Sequence, residues 1–237
     1  MTRVRPEYVA LAAELAFLRE AFALPCTQTH RAEVSATLGS FECIDRYYDT
    51  EALAAARRAL ADEVVNVVAG SQPARDLPPE LVDRLATLHR VFAAHHAVAG
   101  VAAHLARFVE ITERARTTLS PRDYIAAVEE EGRLTAEMVL LLFDGDPPSP
   151  FADFFTRLGV VGNLVDKLCD VRADFAAGEL ALRPSAALYL RLATAFVRHA
   201  SILFVQFPRR WTLLAWGARY FGPLVPTLRA RSSSIRP

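Results

Sequence analysis

Apolar residues recur three and four positions apart along almost the whole chain, which is the spacing of one face of an α-helix. No stretch shows the sustained alternation of β-branched and polar residues that is typical of a half-buried strand. Alanine, leucine, glutamate and arginine, which are good helix formers, are the prominent residues. The sequence therefore predicts an all-α fold.

Proline, glycine and polar loop residues divide this pattern into helical segments. The expected helices cover residues 6–23, 28–48, 51–69, 78–117, 121–143, 150–178, 185–206 and 209–221. The segment 78–117 is expected to hold two helices that meet near Gly100. Ser120 before Pro121 predicts an N-cap with proline in the first turn, and Gly178 predicts a C-terminal stop.

The composition fits a globular protein with an apolar interior or cavity. Of the 237 residues, 52% are hydrophobic and 23% are charged, which excludes a disordered chain and leaves ample material for a core. No internal repeat and no long linker is present, so residues 1–237 are expected to form one domain. The three cysteines form no CxxC pair, which favours a reduced, cytoplasmic protein without a zinc knuckle.

Charge is distributed unevenly, although the formal net charge is zero. Residues 180–237 carry nine arginines and neither aspartate nor glutamate. This favours an anionic ligand, or peripheral contact of the basic C-terminal segment 207–237 with an anionic membrane. The last residues, from Arg229, are expected to be disordered. Nucleic-acid binding is not expected, because the chain is neutral overall and the basic segment shows no interleaved aromatic face.

The first acidic stripe lies near the end of the second expected helix. Glu42, Asp45 and Asp49 fall within an arc of about 60° on a helix. Their mutual repulsion disfavours this arrangement unless cations or solvent screen the charges. The alternative interpretation is a solvated face beside Arg46, with Asp49 or Thr50 capping the next helix.

The second acidic stripe lies on the helix expected at 150–178, which is apolar over most of its circumference. Its four oxygen donors share an arc of about 80°, with Lys167 on the same side: Asn163, Asp166, Asp170 and Asp174. Oxygen ligands at helical spacing, without histidine or cysteine nearby, suit Mg²⁺ held together with substrate phosphates. Gly159 and Gly162 just before the stripe permit close approach of a helix or a ligand.

The six histidines lack the spacing of a di-iron bundle and are expected to be ordinary surface or hydrogen-bonded core residues.

These motifs carry a resemblance to a known family. An all-α chain with DxxxD from Asp45 to Asp49, and NxxDxxxDxxxD from Asn163 to Asp174, resembles the class I isoprenoid synthases, above all the squalene and phytoene synthase branch. The similarity covers roughly residues 28–206 in layout. It departs from that branch in the helix before the second motif, where only Gly132 matches a glycine-rich stretch.

The resemblance implies a fold, a cofactor and roles for individual residues. The fold would be a single-domain helical bundle with a central apolar cavity, and family members are often homodimers. Three Mg²⁺ ions would bind a prenyl diphosphate through six residues: Asp45, Asp49, Asn163, Asp166, Asp170 and Asp174. Asp45, Asp49, Asp170 and Arg116 would be catalytic. The diphosphate would contact Arg114, Arg116, Lys167, Arg219 and Tyr220, of which Arg219-Tyr220 resembles the late Arg-Tyr pair of bacterial terpene cyclases.

Three functions follow as expectations. The first is a Mg²⁺-dependent terpene synthase that ionises farnesyl or geranylgeranyl diphosphate and releases a terpene hydrocarbon or alcohol with diphosphate. The second is a prenyltransferase that condenses two prenyl diphosphates. The third is a non-catalytic helical module that binds a lipid or a partner. For an enzyme, the expected aromatic lining of the cavity is Phe17, Phe41, Tyr47, Phe154, Phe155, Phe204 and Trp211.

Overall fold

The computed structural model of the protein describes residues 6–51, 53–74, 76–143 and 149–221, with side chains except at 6–13, 149 and 219–221. Within these ranges the regular structure is entirely α-helical, which confirms the predicted all-α class. The helices in chain order are α1 (Pro6–Ala21), α2 (Gln28–Thr50), α3 (Ala54–Val68), α4 (Pro79–Ala94), α5 (Val98–Thr117), α6 (Pro121–Leu140), α7 (Ser149–Ala176), α8 (Ala186–Gln206) and α9 (Arg210–Phe221).

Local signals set most of these boundaries. The Ser120 hydroxyl accepts a hydrogen bond from the Asp123 amide, and Pro121 opens α6, as the sequence predicts. Ser185 caps α8 in the same way through the Leu188 amide. Gly178 adopts a φ of +77°, so the chain turns away just after α7 ends. The basic residues 222–237 and the loop 144–148 lie outside the described residues.

The break inside the segment 78–117 differs from the prediction. The chain turns at residues 95–97, where His96 has a φ of +54° and the Ala97 amide donates to the Phe92 carbonyl. Gly100 is instead helical, in the first turn of α5. A Cβ atom at Gly100 would lie 3.3 Å from the Leu141 side chain, so this glycine serves a close contact rather than a break.

Two groups of buried apolar residues hold the helices together. The first joins α1–α4 to the beginning of α7, and includes Phe92, Phe151 and Phe154. The second joins the ends of α5 and α7 to α6 and α8, and includes Val128 and Leu164. The partly buried Phe108 and Phe196 pack against both groups. α7 therefore spans both groups, and its sequence order places the acidic stripe in its second half.

The contact between α6 and α7 is unusually close. A Cβ atom at Gly132 would lie 2.6 Å from the Gly159 carbonyl oxygen and 2.7 Å from the Val160 Cα atom. A Cβ atom at Gly159 would collide with the Gly132 carbonyl oxygen in turn. Gly159 thus permits the helix contact predicted from the sequence. Gly162 meets no atom within 4 Å of its added Cβ and lines a pocket instead.

Candidate functional site

A pocket of about 810 Å³ opens among α2, α3, α5, α6 and α7, with Trp216 of α9 on its wall. Its volume lies within the range of about 300–1,000 Å³ found for small-molecule sites. The apolar part of the wall includes these residues: Leu38, Phe41, Val64, Leu105, Phe108, Val139 and Phe155. The polar part comes chiefly from the last two turns of α2 and the second half of α7. The pocket therefore combines a greasy wall with a charged one.

The α2 side of the charged wall contains Asp45 and Asp49, as the sequence predicts. Asp49 forms an ion pair and hydrogen bond with Arg116 near the end of α5. Leu53 holds the N-cap position of α3 and makes no side-chain cap there, so the capping interpretation of Asp49 and Thr50 is wrong. Glu42 does not line the pocket. The two carboxylates therefore face the pocket as a pair, with one cation beside them.

All five polar residues of the α7 stripe line the same pocket: Asn163, Asp166, Lys167, Asp170 and Asp174. The Lys167 ammonium lies 3.4 Å from a carboxylate oxygen of Asp174. The Asn163 amide group donates to the Val128 carbonyl at 2.8 Å and to Glu131 at 3.2 Å, which ties the start of the stripe to α6. The stripes on α2 and α7, separated by more than a hundred residues, thus meet at one cavity.

The residues predicted to bind the diphosphate differ in their position relative to the pocket. Arg116 and Lys167 line the pocket, whereas Arg114 is exposed and is not part of its wall. The two arginines are separated by two positions on α5, and such positions point in different directions. Arg219 and Tyr220 belong to α9, but their side chains lie outside the described residues.

A hydrogen-bonded network of Tyr48, Glu113 and Arg57 lies next to Arg116. The Arg116 guanidinium carbon lies 5.5 Å from the centre of the Tyr48 ring. The Tyr48 hydroxyl donates to Glu113 at 2.7 Å, and Arg57 donates to both oxygens of the same carboxylate at 2.7 and 3.2 Å. Burial alone would raise the pKa of Glu113, but the hydrogen bonds from Arg57 and Tyr48 hold it below its ordinary value. Glu113 is therefore a charged anchor for this corner of the pocket.

The pocket residues that were not identified from the sequence include Glu131, Glu179 and Tyr124. Glu131 is only 6% exposed, accepts a hydrogen bond from Thr112 at 2.9 Å and contacts Asn163. Glu179 reaches the pocket from the turn after α7, and Tyr124 from the start of α6. The Tyr124 hydroxyl is buried without a hydrogen-bond partner in the described protein. In the sequence, Glu131 interrupts the apolar positions of its helix, which could have marked it as a pocket residue. It lies within a run of three glutamates, which hides this signal.

The pocket wall has a large excess of negative charge. Among the described side chains it includes seven carboxylates, from Asp45, Asp49, Glu131, Asp166, Asp170, Asp174 and Glu179, but only two cations, Arg116 and Lys167. Burial alone would lower the pKa of Lys167, yet the charges of Asp174, Glu131 and Asp166 raise it well above the ordinary value. Burial, followed by the charge of Asp49, raises the pKa of Glu179. Such a site attracts further cations.

The donor set fits magnesium held together with an anionic ligand better than it fits a closed metal cage. In the part of the chain with described side chains, no group of three or more histidine, cysteine, aspartate or glutamate residues converges tightly enough to hold a metal by itself. Mg²⁺ usually binds through one or two carboxylates, retains several waters and uses substrate phosphates as ligands. Carboxylates on two helices around one pocket suit Mg²⁺ that is bound together with a phosphate ligand.

Of the seven aromatic residues expected in the lining, two contribute to the pocket wall. Phe41 and Phe155 contribute to the wall, as predicted, and Tyr48, Phe108, Tyr124 and Trp216 join them. The other five candidates lie elsewhere. Phe17 and Phe154 pack with Phe207, while Phe204 packs against the exposed Trp211. Tyr47 points to Glu80 on α4. Aromatic residues on neighbouring helical positions point to different faces, which sequence alone does not assign to core or pocket.

The chain was compared with protein-family models, with curated proteins and with solved structures. The site residues brought together by the fold are those of the two acidic motifs, Arg116 and Lys167. No family model, no curated protein and no solved structure matches this chain.

Proposed function

We propose that this protein is a Mg²⁺-dependent class I terpene synthase that ionises a linear prenyl diphosphate, with farnesyl and geranylgeranyl diphosphate as the expected substrates. One observation carries the proposal: two acidic motifs on separate helices line a single pocket whose remaining wall is apolar. A prenyl diphosphate has the matching two parts, an anionic head that binds metal ions and a long hydrocarbon chain.

The six oxygen-donor residues of α2 and α7 would hold the magnesium: Asp45, Asp49, Asn163, Asp166, Asp170 and Asp174. Bound Mg²⁺ supplies Lewis-acid stabilisation of the negative charge that develops on the diphosphate. Arg116 and Lys167 add two fixed positive charges at the same wall. Lys167 remains protonated throughout the physiological pH range because neighbouring carboxylates raise its pKa. These cations bind and orient the leaving group.

The reaction breaks the bond between the allylic carbon and the diphosphate oxygen, and the electron pair leaves with the oxygen. The allylic carbocation then loses a proton to the released diphosphate to give a hydrocarbon, or adds water, which loses a proton to the diphosphate, to give an alcohol. The apolar wall limits access of water to the carbocation during this step. Phe41, Phe108, Phe155 and Trp216 line the pocket, where their aromatic rings would stabilise positive charge.

Condensation of two prenyl diphosphates is the second candidate. The volume of about 810 Å³ favours it as an alternative, because this value lies in the upper part of the range for small-molecule sites. The two reactions differ in stoichiometry. A terpene synthase releases one diphosphate for each product molecule, whereas a condensing enzyme first consumes two substrates for each product.

The test is release of inorganic diphosphate from geranyl, farnesyl and geranylgeranyl diphosphate, singly and in pairs, with Mg²⁺ and with EDTA. Mass spectrometry of the organic extract identifies the product. We expect Mg²⁺-dependent release with a product of one prenyl chain, while a product of doubled mass would establish condensation instead. Absence of release from every mixture by folded protein would overturn both reactions and leave the non-catalytic helical module that binds a lipid or a partner.

A matched pair of arginine variants sharpens this test. Arg116→Ala removes a cation from the pocket wall, whereas Arg114→Ala removes an exposed cation from the same helix, outside the wall. We expect Arg116→Ala to lower kcat/KM for diphosphate release by about 100-fold, and Arg114→Ala to leave it within about twofold. Equal effects of the two substitutions would contradict the assignment of Arg116 to the diphosphate.

A further inference from the structure

The outer face of α8 carries apolar side chains that are largely exposed. Leu190, Val197 and Val205 are 69%, 58% and 59% exposed, and with Thr194 and Ser201 they fall within an arc of about 80°. The opposite face of the helix packs into the protein through Leu188, Leu192, Ala195 and Leu203. Apolar side chains therefore cover both faces of α8, and only one of them is buried.

The start of α9 continues this apolar face. Trp211 is 78% exposed, Leu214 is 52% exposed, and the Trp211 ring packs edge-on against Phe204 of α8 at 5.7 Å. The outer face of α8 and the start of α9, represented by Leu190, Val197, Val205, Trp211 and Leu214, are called the α8–α9 face. Five exposed large apolar side chains grouped in this way on α8 and α9 indicate an interaction site.

Arginines border the α8–α9 face. Arg191 and Arg198 follow one edge of the stripe on α8, and Arg209 and Arg210 lie between the two helices. All four are exposed, although Arg198 pairs with Glu129 and Arg209 pairs with Glu20. Exposed leucine, valine and tryptophan flanked by arginine are typical of helices that lie in the headgroup region of an anionic bilayer.

α8 is suited to lying on a membrane rather than to crossing it. By length and composition, it is the one helix among the described residues that could span a bilayer, with a mean hydropathy of 1.3. However, its inner face is fixed in the protein by Leu188 and Leu192, and Arg191 and Arg198 occur along its length. A spanning helix would have to leave the core and carry both arginines into lipid, at a large cost in free energy.

We propose that the α8–α9 face docks the protein onto the surface of an anionic lipid bilayer, with its apolar side chains in the headgroup region and its arginines on lipid phosphates. The charge complementarity of the bordering arginines selects an anionic bilayer over a second copy of this equally arginine-bordered face. This docking is independent of the chemistry in the pocket. It nevertheless brings α9, whose Trp216 lines the pocket, to the membrane.

The test is cosedimentation of the full chain with phosphatidylcholine vesicles, with and without about 30% of the anionic lipid phosphatidylglycerol. We expect binding to the anionic vesicles that weakens with salt, and at least about tenfold weaker binding to neutral vesicles. The triple variant Leu190→Ser, Val197→Ser, Val205→Ser keeps every arginine, so it tests the apolar stripe alone. It should bind anionic vesicles at least about tenfold more weakly than the wild type.

Leu53 and Leu119 provide the matched control, because they are comparably exposed and lie outside the α8–α9 face. The variant Leu53→Ser, Leu119→Ser should bind vesicles as the wild type does. A second readout uses Trp211, which is exposed, whereas the other tryptophan, Trp216, is buried. Anionic vesicles should shift the wild-type fluorescence to the blue, and Trp211→Phe should remove most of the shift.

Several outcomes would overturn the proposal. Wild-type protein that stays in the supernatant with anionic vesicles contradicts it directly. Unchanged binding by the triple-serine variant would place any membrane contact elsewhere, for example in the basic tail. A wild-type dimer that the triple-serine variant converts to monomer, without vesicle binding, would identify the α8–α9 face as a contact between two copies. None of these results depends on diphosphate release, so the proposed reaction is judged separately.

Discussion

Helices α7 and α8 pack against each other but distribute their side chains in opposite ways. α7 turns carboxylates such as Asp166 and Asp170 toward a pocket within the protein, whereas α8 turns Leu190 and Val197 outward. Each arrangement costs stability, since like charges repel one another and apolar surface in water is unfavourable. In soluble proteins, apolar side chains usually lie inside and charged side chains outside. These two neighbouring helices depart from that distribution in opposite ways. The α7 stripe suits a charged ligand, and the α8 stripe suits a lipid surface.

The largest expected effect concerns the interior stripe of α7. Asp170→Asn should reduce Mg²⁺-dependent diphosphate release by at least about 100-fold, because it removes the charge of a proposed metal ligand. Thermal unfolding without Mg²⁺ should occur at about the same temperature, because asparagine keeps the shape of the side chain. The matched control is Asp153→Asn, an exposed position on the same helix outside the pocket wall, which should retain activity. Marked destabilisation by Asp170→Asn would instead indicate a structural carboxylate.

The next effect concerns how α7 is placed. Gly159→Ala should lower the free energy of unfolding by about 3 kcal/mol, because its Cβ atom would collide with the backbone of α6 at Gly132. Gly162→Ala is the control three residues further on, where an added Cβ meets nothing within 4 Å. It should be neutral or stabilise the helix by up to about 1 kcal/mol. Denaturant unfolding measures both, and equal destabilisation would contradict the close contact.

Two leucines on α8 test whether its outer face contributes to folding. Leu192→Ala removes a fully buried side chain and should cost about 2–3 kcal/mol of unfolding free energy. Leu190→Ala changes an exposed side chain two positions away and should alter stability by less than about 0.5 kcal/mol. Denaturant unfolding of the isolated full-length protein gives both values. A large loss with Leu190→Ala would show that another part of the chain covers the outer face.

The smallest expected effect contrasts the α7 carboxylates with one that is fully paired. Burial opposes ionisation of Glu113, but hydrogen bonds from Arg57 and Tyr48 hold its pKa below the ordinary value. This carboxylate therefore stabilises the fold at pH values above its unfolded pKa of about 4.3, and the contribution is lost as pH falls through the folded pKa. Glu113→Gln should cost about 1–2 kcal/mol at pH 7. The two proteins should converge in stability at acidic pH, and a constant difference across pH would contradict this.

The sequence predicted the helices closely, including the two helices in 78–117, but it placed their junction at Gly100 rather than at residues 95–97. Helix boundaries follow from local periodicity and from caps such as Ser120, so most differ from the prediction by no more than three residues. The turn at His96 was missed because its conformation is one that a non-glycine residue seldom adopts, and no sequence signal announces it. Gly100, the predicted break, is used for packing against Leu141 instead.

The candidate site, like the helix boundaries, was predicted in part. Helical periodicity identified the α2 and α7 stripes, and all six predicted metal ligands line one pocket. It did not separate Arg116 from Arg114, and it did not find Tyr124, Glu131 or Glu179. Those side chains join the site through contacts between distant segments, such as the hydrogen bond from Asn163 to Glu131.

The all-α class, the approximate helix boundaries and the two acidic stripes can be predicted from the sequence alone, because each depends on residues within a few turns of one helix. The packing of the helices brings the stripes to one pocket, pairs Arg116 with Asp49 and leaves an apolar face of α8 exposed. These features escape the sequence because burial and charge pairing depend on which helices pack together. Periodicity places a residue on a helix face, and the neighbouring helices determine what that face contacts.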